Sequence, residues 1–137
     1  MMLCDAAQSM GGKLYILGGG WTQIMLVDPL PPMALAVQLT VPWDQANERM
    51  AVEVALVTED GKPVDFGSGP VAAGGEMEVG RPPGLRRGTP LDSSLVMNFG
   101  GLRLNPGGYV WELRVDNDAK ARTPFRVLPS QGPGVGL

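Results

Sequence analysis

The sequence predicts an all-β domain, an antiparallel Greek-key β-sandwich of seven to nine short strands, immunoglobulin-like or jelly-roll-like. Three observations predict it. Apolar residues recur at every second position in several short runs, the pattern of a strand with one face buried. The 20 glycines and 13 prolines fall between those runs without a fixed period, where turns belong. No interval carries a long helical pattern, which argues against βαβ units. Two packed sheets are the economical way to bury such alternating faces, with a closed barrel as the alternative.

The elements follow in order. Met1–Met10 reads as a short helix or as a strand that joins the sheet late. Gly11-Gly12 marks a turn, and Lys13–Leu17 is the first clear strand. Gly18-Gly19-Gly20 interrupts it before Trp21, unless the LYILGGGW segment is one strand with a bulge or a bend, and Thr22–Val27 is a second strand. Asp28–Pro32 is a stiff connection. Ala34–Val41 is the cleanest strand: Leu35, Val37, Leu39 and Val41 share one face, with Gln38 and Thr40 on the other. Pro42-Trp43 closes it, and Asp44–Arg49 is a loop. Met50–Val57 resumes the alternation through Val52, Val54 and Leu56. Asp60-Gly61 is a hairpin signal, so the short run Pro63–Phe66 is expected to pair back on residues 50–57.

Residues 67–75 read as a loop by composition, Glu76–Val79 as a weak strand and Gly80–Pro90 as an ordered surface loop. Asp92–Phe99 returns to strand character. Pro106-Gly107-Gly108 then leads into a strand in which Tyr109, Trp111, Leu113 and Val115 point one way. A tyrosine opening a strand just after a turn resembles the tyrosine corner of Greek-key sandwiches, where the phenol ties the crossing loop to the backbone. Asp116–Lys120 is the last hairpin turn and Pro124–Leu128 the last strand, with Pro124 suited to a strand start or an edge. Residues 1–128 therefore form one domain, and 129–137 a glycine- and proline-rich tail.

Composition narrows the function. With 44% apolar and 18% charged residues the chain of 137 residues can fold around a core. Its net charge of −3 gives no general reason to bind nucleic acid. The charge is unevenly distributed: residues 1–80 hold ten acids and three bases, residues 81–137 four acids and eight bases. Such a split can steer one copy head to tail against another, or simply reflect different solvated faces. A single cysteine, Cys4, excludes an intrachain disulfide and favours an intracellular protein. Residues 1–10 lack the pattern of a signal peptide, and no apolar stretch is long enough to span a membrane as a helix.

Catalytic groups are scarce. Without histidine there is no Ser–His–Asp or Cys–His site within the chain, and one cysteine does not make a zinc site. No metal and no cofactor are expected. Asp116 and Asp118 suit a hairpin turn better than a calcium loop. Glu76 and Glu78 share one side of a strand, weak grounds for paired-carboxylate chemistry. Gly18-Gly19-Gly20 lacks the lysine that follows in a phosphate-binding loop. The candidate interaction residues are Arg81, Arg86 and Arg87, held among rigid prolines, and Trp21 and Trp43, each beside a turn. The arginines can meet carboxylate or phosphate groups, or only solubilise a loop. The tryptophans can serve as rim contacts or ligand platforms, or cap the open ends of the core.

The segments GKLYILGGGW, LAVQLTVPWDQANER, EDGKPV, VGRPPGLRRGTPLD and LNPGGYVWELRVD, in this order across roughly residues 3–128, resemble a family of small proteins of actinobacteria and their phages that carries no assigned activity. The match includes Gly19, Gly20, Trp21, Pro42, Trp43, Pro82, Pro83, Gly84, Pro106, Gly107 and Tyr109, each of which also has a structural explanation. The resemblance implies a β-sandwich and an actinobacterial or phage source, with no catalytic residue to carry over. The resulting expectation is a non-enzymatic structural or protein-interaction module, such as a virion accessory or capsid decoration protein. It would self-associate or meet phage structural proteins, without nucleic-acid or membrane partners, in the cytoplasm or the virion. A small-ligand or carbohydrate-binding sandwich using Trp21 or Trp43 is the alternative.

Overall fold

The computed structural model of the protein describes residues 1–65 and 69–130. Nine strands fill it: β1 (Met2–Met10), β2 (Lys13–Gly19), β3 (Gln23–Met25), β4 (Met33–Val41), β5 (Met50–Thr58), β6 (Ala72–Met77), β7 (Leu91–Phe99), β8 (Gly107–Val115) and β9 (Asp118–Leu128). They form a four-stranded sheet in the order β2-β1-β4-β7 and a five-stranded sheet in the order β3-β9-β8-β5-β6. The chain crosses from β4 to β5, returns to β7 beside β4, and crosses again to β8 beside β5. That Greek key is the immunoglobulin-type arrangement rather than a jelly roll or a closed barrel. All strand pairings are antiparallel except β3 with β9, which is parallel and makes the larger sheet mixed.

The core lies where alternation puts it. Leu3, Met33, Leu35, Val37 and Phe99 from one sheet meet Val52, Val54, Leu56, Trp111, Leu113, Phe125 and Val127 from the other. Trp111 is fully buried, and its ring lies 4.3 Å from that of Phe99, centroid to centroid, across the sandwich. It sits two residues after Tyr109, the place where many immunoglobulin domains carry a disulfide cysteine. Here a large aromatic ring fills the space between the sheets instead. The Tyr109 hydroxyl donates to the carbonyl of Asn105, four residues upstream, at 2.7 Å, the bond expected of a tyrosine corner. Pro106 and Gly107 make the turn between them. At the other end of β8, Asp116 (φ 50°) and Asn117 (φ 68°) form a two-residue turn before Asp118 pairs with Val115, as a type I′ hairpin requires.

Several expected boundaries move. Of the two forms expected for Met1–Met10 the strand is the one found, over Met2–Met10. The run after Asp60-Gly61 pairs back on β5 over a short stretch: Gly61 (φ 80°) turns the chain, its N–H donating to the Thr58 carbonyl at 2.9 Å, Pro63 bridges to Val57, and the Val64 N–H donates to the Leu56 carbonyl at 3.1 Å. On the side of β5 away from β8 the partner strand is Ala72–Met77, which begins earlier than the expected Glu76–Val79 strand and takes in residues 72–75 of the expected loop. Side chains do not announce this strand because it needs almost none. A Cβ on Gly74 would lie 2.5 Å from the Val52 carbonyl, so the close approach itself selects glycine. β9 also starts well before Pro124. The proline is tolerated because the Arg126 N–H points to the β3 side, where it meets Thr22 at 2.9 Å. Pro124, two residues earlier, turns its nitrogen the same way, beyond the end of β3 at Gln23. Phe66 and the tail from residue 131 lie outside the described residues.

The outer face of the smaller sheet is itself covered. Only Met2–Cys4 of β1 pairs with β4. From there the β1–β2 hairpin rises over the outside of β4 and β7. Ala7 and Leu14 pack on Cys4, Ala34, Ala36 and Val96, and Ser9 Oγ meets Ser94 Oγ at 2.7 Å. Ala34 and Ala36, on the face opposite Leu35 and Val37, are therefore buried as well.

Candidate functional site

Two surfaces carry the site residues. The first is the end of the sandwich built by residues 42–49 and 78–90. Val41, Ala46, Val79 and Leu91 form a second small core there, with Trp43, Met50, Met77 and Leu85 packed on it. The Asn47 N–H donates to the Val79 carbonyl at 2.9 Å, joining the two loops. Arg81 bends back over Trp43: its guanidinium carbon is 4.5 Å from the ring centroid, and Nη2 donates to the Trp43 carbonyl at 2.6 Å. Arg81 is thus a cation–π partner that holds Trp43 in place.

Arg86 and Arg87 stand further out on the same loop. The backbone beneath them is fixed, because the Thr89 hydroxyl and N–H both donate to the Arg86 carbonyl, at 2.6 and 3.1 Å. Their side chains are exposed and have no ion-pair partner among the described residues. Every other arginine does have a partner: Arg49 with Glu76 and Glu78, Arg81 with Trp43, Arg103 with Asp28, Arg114 and Arg122 with Glu112, and Arg126 with Glu59. A groove of about 460 Å³ at the same end is lined by Thr40, Pro42, Trp43, Asp44, Gly88 and Pro90.

The structure separates Trp21 from this group. Trp21 packs edge-on against Phe125, with centroids 5.9 Å apart and planes at 82°, at the end of the sandwich that also holds Tyr109. It caps the core. Gly19 pairs with Cys4 and Gly20 donates to the Leu3 carbonyl at 2.8 Å, so the triple glycine anchors the base of the hairpin. The Glu76–Glu78 pair is clamped by Arg49 at 3.4 and 3.3 Å, an ion-pair cluster rather than an acid–base couple. Asp116 accepts from the Ala51 N–H at 2.9 Å as part of its turn. Among the described residues no group of three or more His, Cys, Asp or Glu is placed to hold a metal ion, and no helix is long and apolar enough to cross a membrane. The charge split along the chain is partly undone by folding, since Asp28 pairs with Arg103 and Glu59 with Arg126 across the two halves.

The second surface was missed at the level of sequence. It is the outward face of the β1–β2 hairpin. Ala6 pairs with Leu17, Gln8 with Tyr15 and Met10 with Lys13, so these six side chains share one face. Leu17 is 71% exposed, Met10 55% and Tyr15 54%. The signal was present: Leu14-Tyr15-Ile16-Leu17 is a continuous apolar run, which asks for cover on both faces, and the fold covers one. Cys4, beneath the hairpin, is fully buried with its Sγ 3.4 Å from the Ala34 carbonyl. Burial, and secondarily the charge of Asp5, pushes its thiol pKa up, so it stays protonated and unreactive. Burial also raises the Tyr109 phenol, against the opposing effect of its bond to Asn105.

A third feature is a shallow concavity of about 710 Å³ on the outside of the larger sheet. Its floor includes Ala51, Ala55, Ala72 and Gly74, and Glu53, Glu76, Glu112 and Arg114 surround them. No aromatic side chain lines it.

Comparison with known proteins finds no match among curated proteins and none among solved structures. The profile of a family of unknown function, DUF6941, matches residues 1–128, and the chain belongs to that family.

Proposed function

We propose that this family member is a non-enzymatic protein-interaction module that binds protein, a second copy or a larger assembly, through the outward face of its β1–β2 hairpin. The observation that carries the reading is the cluster of Met10, Tyr15 and Leu17 on one exposed face of an edge hairpin. Adjacent large apolar side chains left in water mark contact surfaces, and β2 adds a strand edge that is unpaired among the described residues and whose one charged residue is Lys13. The fold is spent on holding this hairpin up: glycines at its base, and alanines and paired serines beneath it. Decoration of a phage particle by repeated copies is the specific form of the proposal that follows from the resemblance of the sequence. A small-ligand or carbohydrate platform on a tryptophan face has less support, because Trp21 caps the core and Arg81 occupies one face of Trp43.

The test is native mass spectrometry and light scattering of the purified protein, alone and isolated from its own source. The reading expects a defined oligomer or a stoichiometric protein complex. Leu17→Lys should abolish it while leaving the thermal unfolding midpoint within a few degrees of the parent. A monomer at high concentration that brings no protein with it from its source overturns the reading.

A further inference from the structure

We propose that Arg86, Arg87 and the Trp43 groove form a second docking site, for an extended acidic, proline-containing segment of a partner protein. The inference rests on the reading of the chain as an interaction module but concerns the opposite kind of surface, charged and rigid where the hairpin is apolar.

Charge complementarity identifies the occupant. Six of the eight arginines are engaged with carboxylates or with Trp43, as described above, which leaves Arg86 and Arg87 as the arginines whose guanidinium groups have no described partner. Arginine forks match carboxylates two bonds at a time, and adjacent forks favour adjacent or alternating acids. These two are presented by a stiff segment. Pro82, Pro83 and Pro90 restrict it, the Thr89–Arg86 hydrogen bonds close its tip, and Leu85 is seated in the small core behind it. Little backbone ordering is left to be done on binding, which leaves the two arginine side chains as the main groups to be ordered.

The groove supplies the rest of the description. Its lining includes Gly88, next to Arg87 in the chain, together with Pro90, Pro42 and Trp43. An apolar groove with one aromatic ring and two prolines suits a polyproline-type strand, whose backbone needs no partner strand. Asp44 lines the same groove and opposes a carboxylate inside it. The acids of the occupant therefore sit on the arginine side and its proline in the groove. Arg81 acts as a positioning residue, fixing Trp43 from above. A nucleic-acid strand fits less well, since no aromatic is interleaved with the arginine pair and the protein carries net charge −3.

The experiment uses the full chain, labelled with nitrogen-15, and three probes at equal concentration: a fluorescein-labelled peptide of alternating glutamate and proline, a hexaglutamate peptide, and a twelve-residue oligothymidylate. The expected result is saturable shifts at Arg86, Arg87, Gly88, Thr89 and the Trp43 indole with the glutamate–proline peptide, weaker ones with hexaglutamate, and binding that falls as salt is raised. Arg86→Ser combined with Arg87→Ser should weaken the peptide at least about tenfold with the remaining spectrum unchanged. Tighter binding of the oligothymidylate, shifts spread over Lys120, Arg122 and Arg126, or affinity unaffected by the double substitution would each overturn the site. Leu17→Lys tells the two surfaces apart: it should remove hairpin-mediated assembly and leave the peptide titration unchanged.

Discussion

The two sheets finish their outer faces in opposite ways. Around Glu112 the outward residues of the five-stranded sheet are charged or small: Glu112 on β8 bridges Arg114 at 3.5 Å and Arg122 at 3.3 Å, and Glu53 pairs across the strands with Arg114, while the Val57–Val110 pair on the same face is buried. Water completes that charged part of the face. On the four-stranded sheet the outward residues of β4 begin with Ala34 and Ala36, and the chain's own hairpin is laid over them. The first solution ends at the surface. The second moves an apolar surface outward by one layer, from Ala34 and Ala36 to Leu17, Tyr15 and Met10. A sandwich that needed only to be soluble has no use for the second solution, which is why the hairpin, and not the larger sheet, is read as the contact surface.

The same substitution made on both faces should separate the two solutions. On the covered face, Ala36→Arg would bury an unpaired guanidinium under Ala7 and Leu14. Its expected cost is about 2–4 kcal/mol, or release of the hairpin, whichever is smaller. Urea denaturation reads the first outcome. The second appears as fast labelling of Cys4 by a thiol reagent in protein that is otherwise folded. A variant with parental stability and a protected Cys4 would show that the hairpin does not cover this face.

The difference between the faces also accounts for what was legible in the sequence. Strands with one apolar and one polar face, such as Val52–Leu56 and Tyr109–Val115, are legible in the sequence to within a residue or two of their limits, because the alternation that defines them is also what the fold uses. The tyrosine corner and the last hairpin were legible for the same reason, since Tyr109 and Asp116-Asn117 have few other uses at such places. Strand β6 was not, because Ala72–Gly75 pairs through backbone with hardly any side chain to carry a period. The exposed hairpin face was not either. A run such as Leu14–Leu17 shows that both faces are apolar but not which one water will see. Arg81 and Arg86 are equivalent in sequence, and only the bend of one over Trp43 distinguishes the occupied guanidinium from the open ones.

Titration provides a second, smaller test of the covered face. Cys4 is held below the hairpin with its pKa raised by burial, and Tyr109 is raised in the same direction. A group whose folded pKa is raised contributes its full stability below the unfolded pKa. Above that value the unfolded chain loses its proton first, and stability declines as pH rises toward the folded value. Denaturation midpoints should therefore be insensitive to these two groups below about pH 8, and fall above the ordinary thiol range of about 8.5 and then the phenol range of about 10. Cys4→Ala should remove the earlier part of the decline and Tyr109→Phe the later part. A midpoint that rises across this range in the parent would contradict the burial assigned to both groups.

The smallest effect is expected on the open face. Ala55 lies in the outer concavity of the larger sheet and pairs directly across the strands with Glu112, which is already shared by two arginines. In Ala55→Arg the new side chain runs along a face that admits water, with Glu112 and Glu53 within its reach. An exposed ion pair of this kind contributes no more than about 1 kcal/mol, and the entropy of ordering a long side chain offsets part of it. The unfolding free energy should change by less than about 0.5 kcal/mol, with Cys4 still protected and hairpin-mediated assembly intact. One guanidinium is then nearly neutral on the larger sheet while the same group at Ala36 disrupts the smaller one. A loss at Ala55 as large as that at Ala36 would mean that both outer faces are covered, and that the larger sheet too has a partner surface in the folded chain.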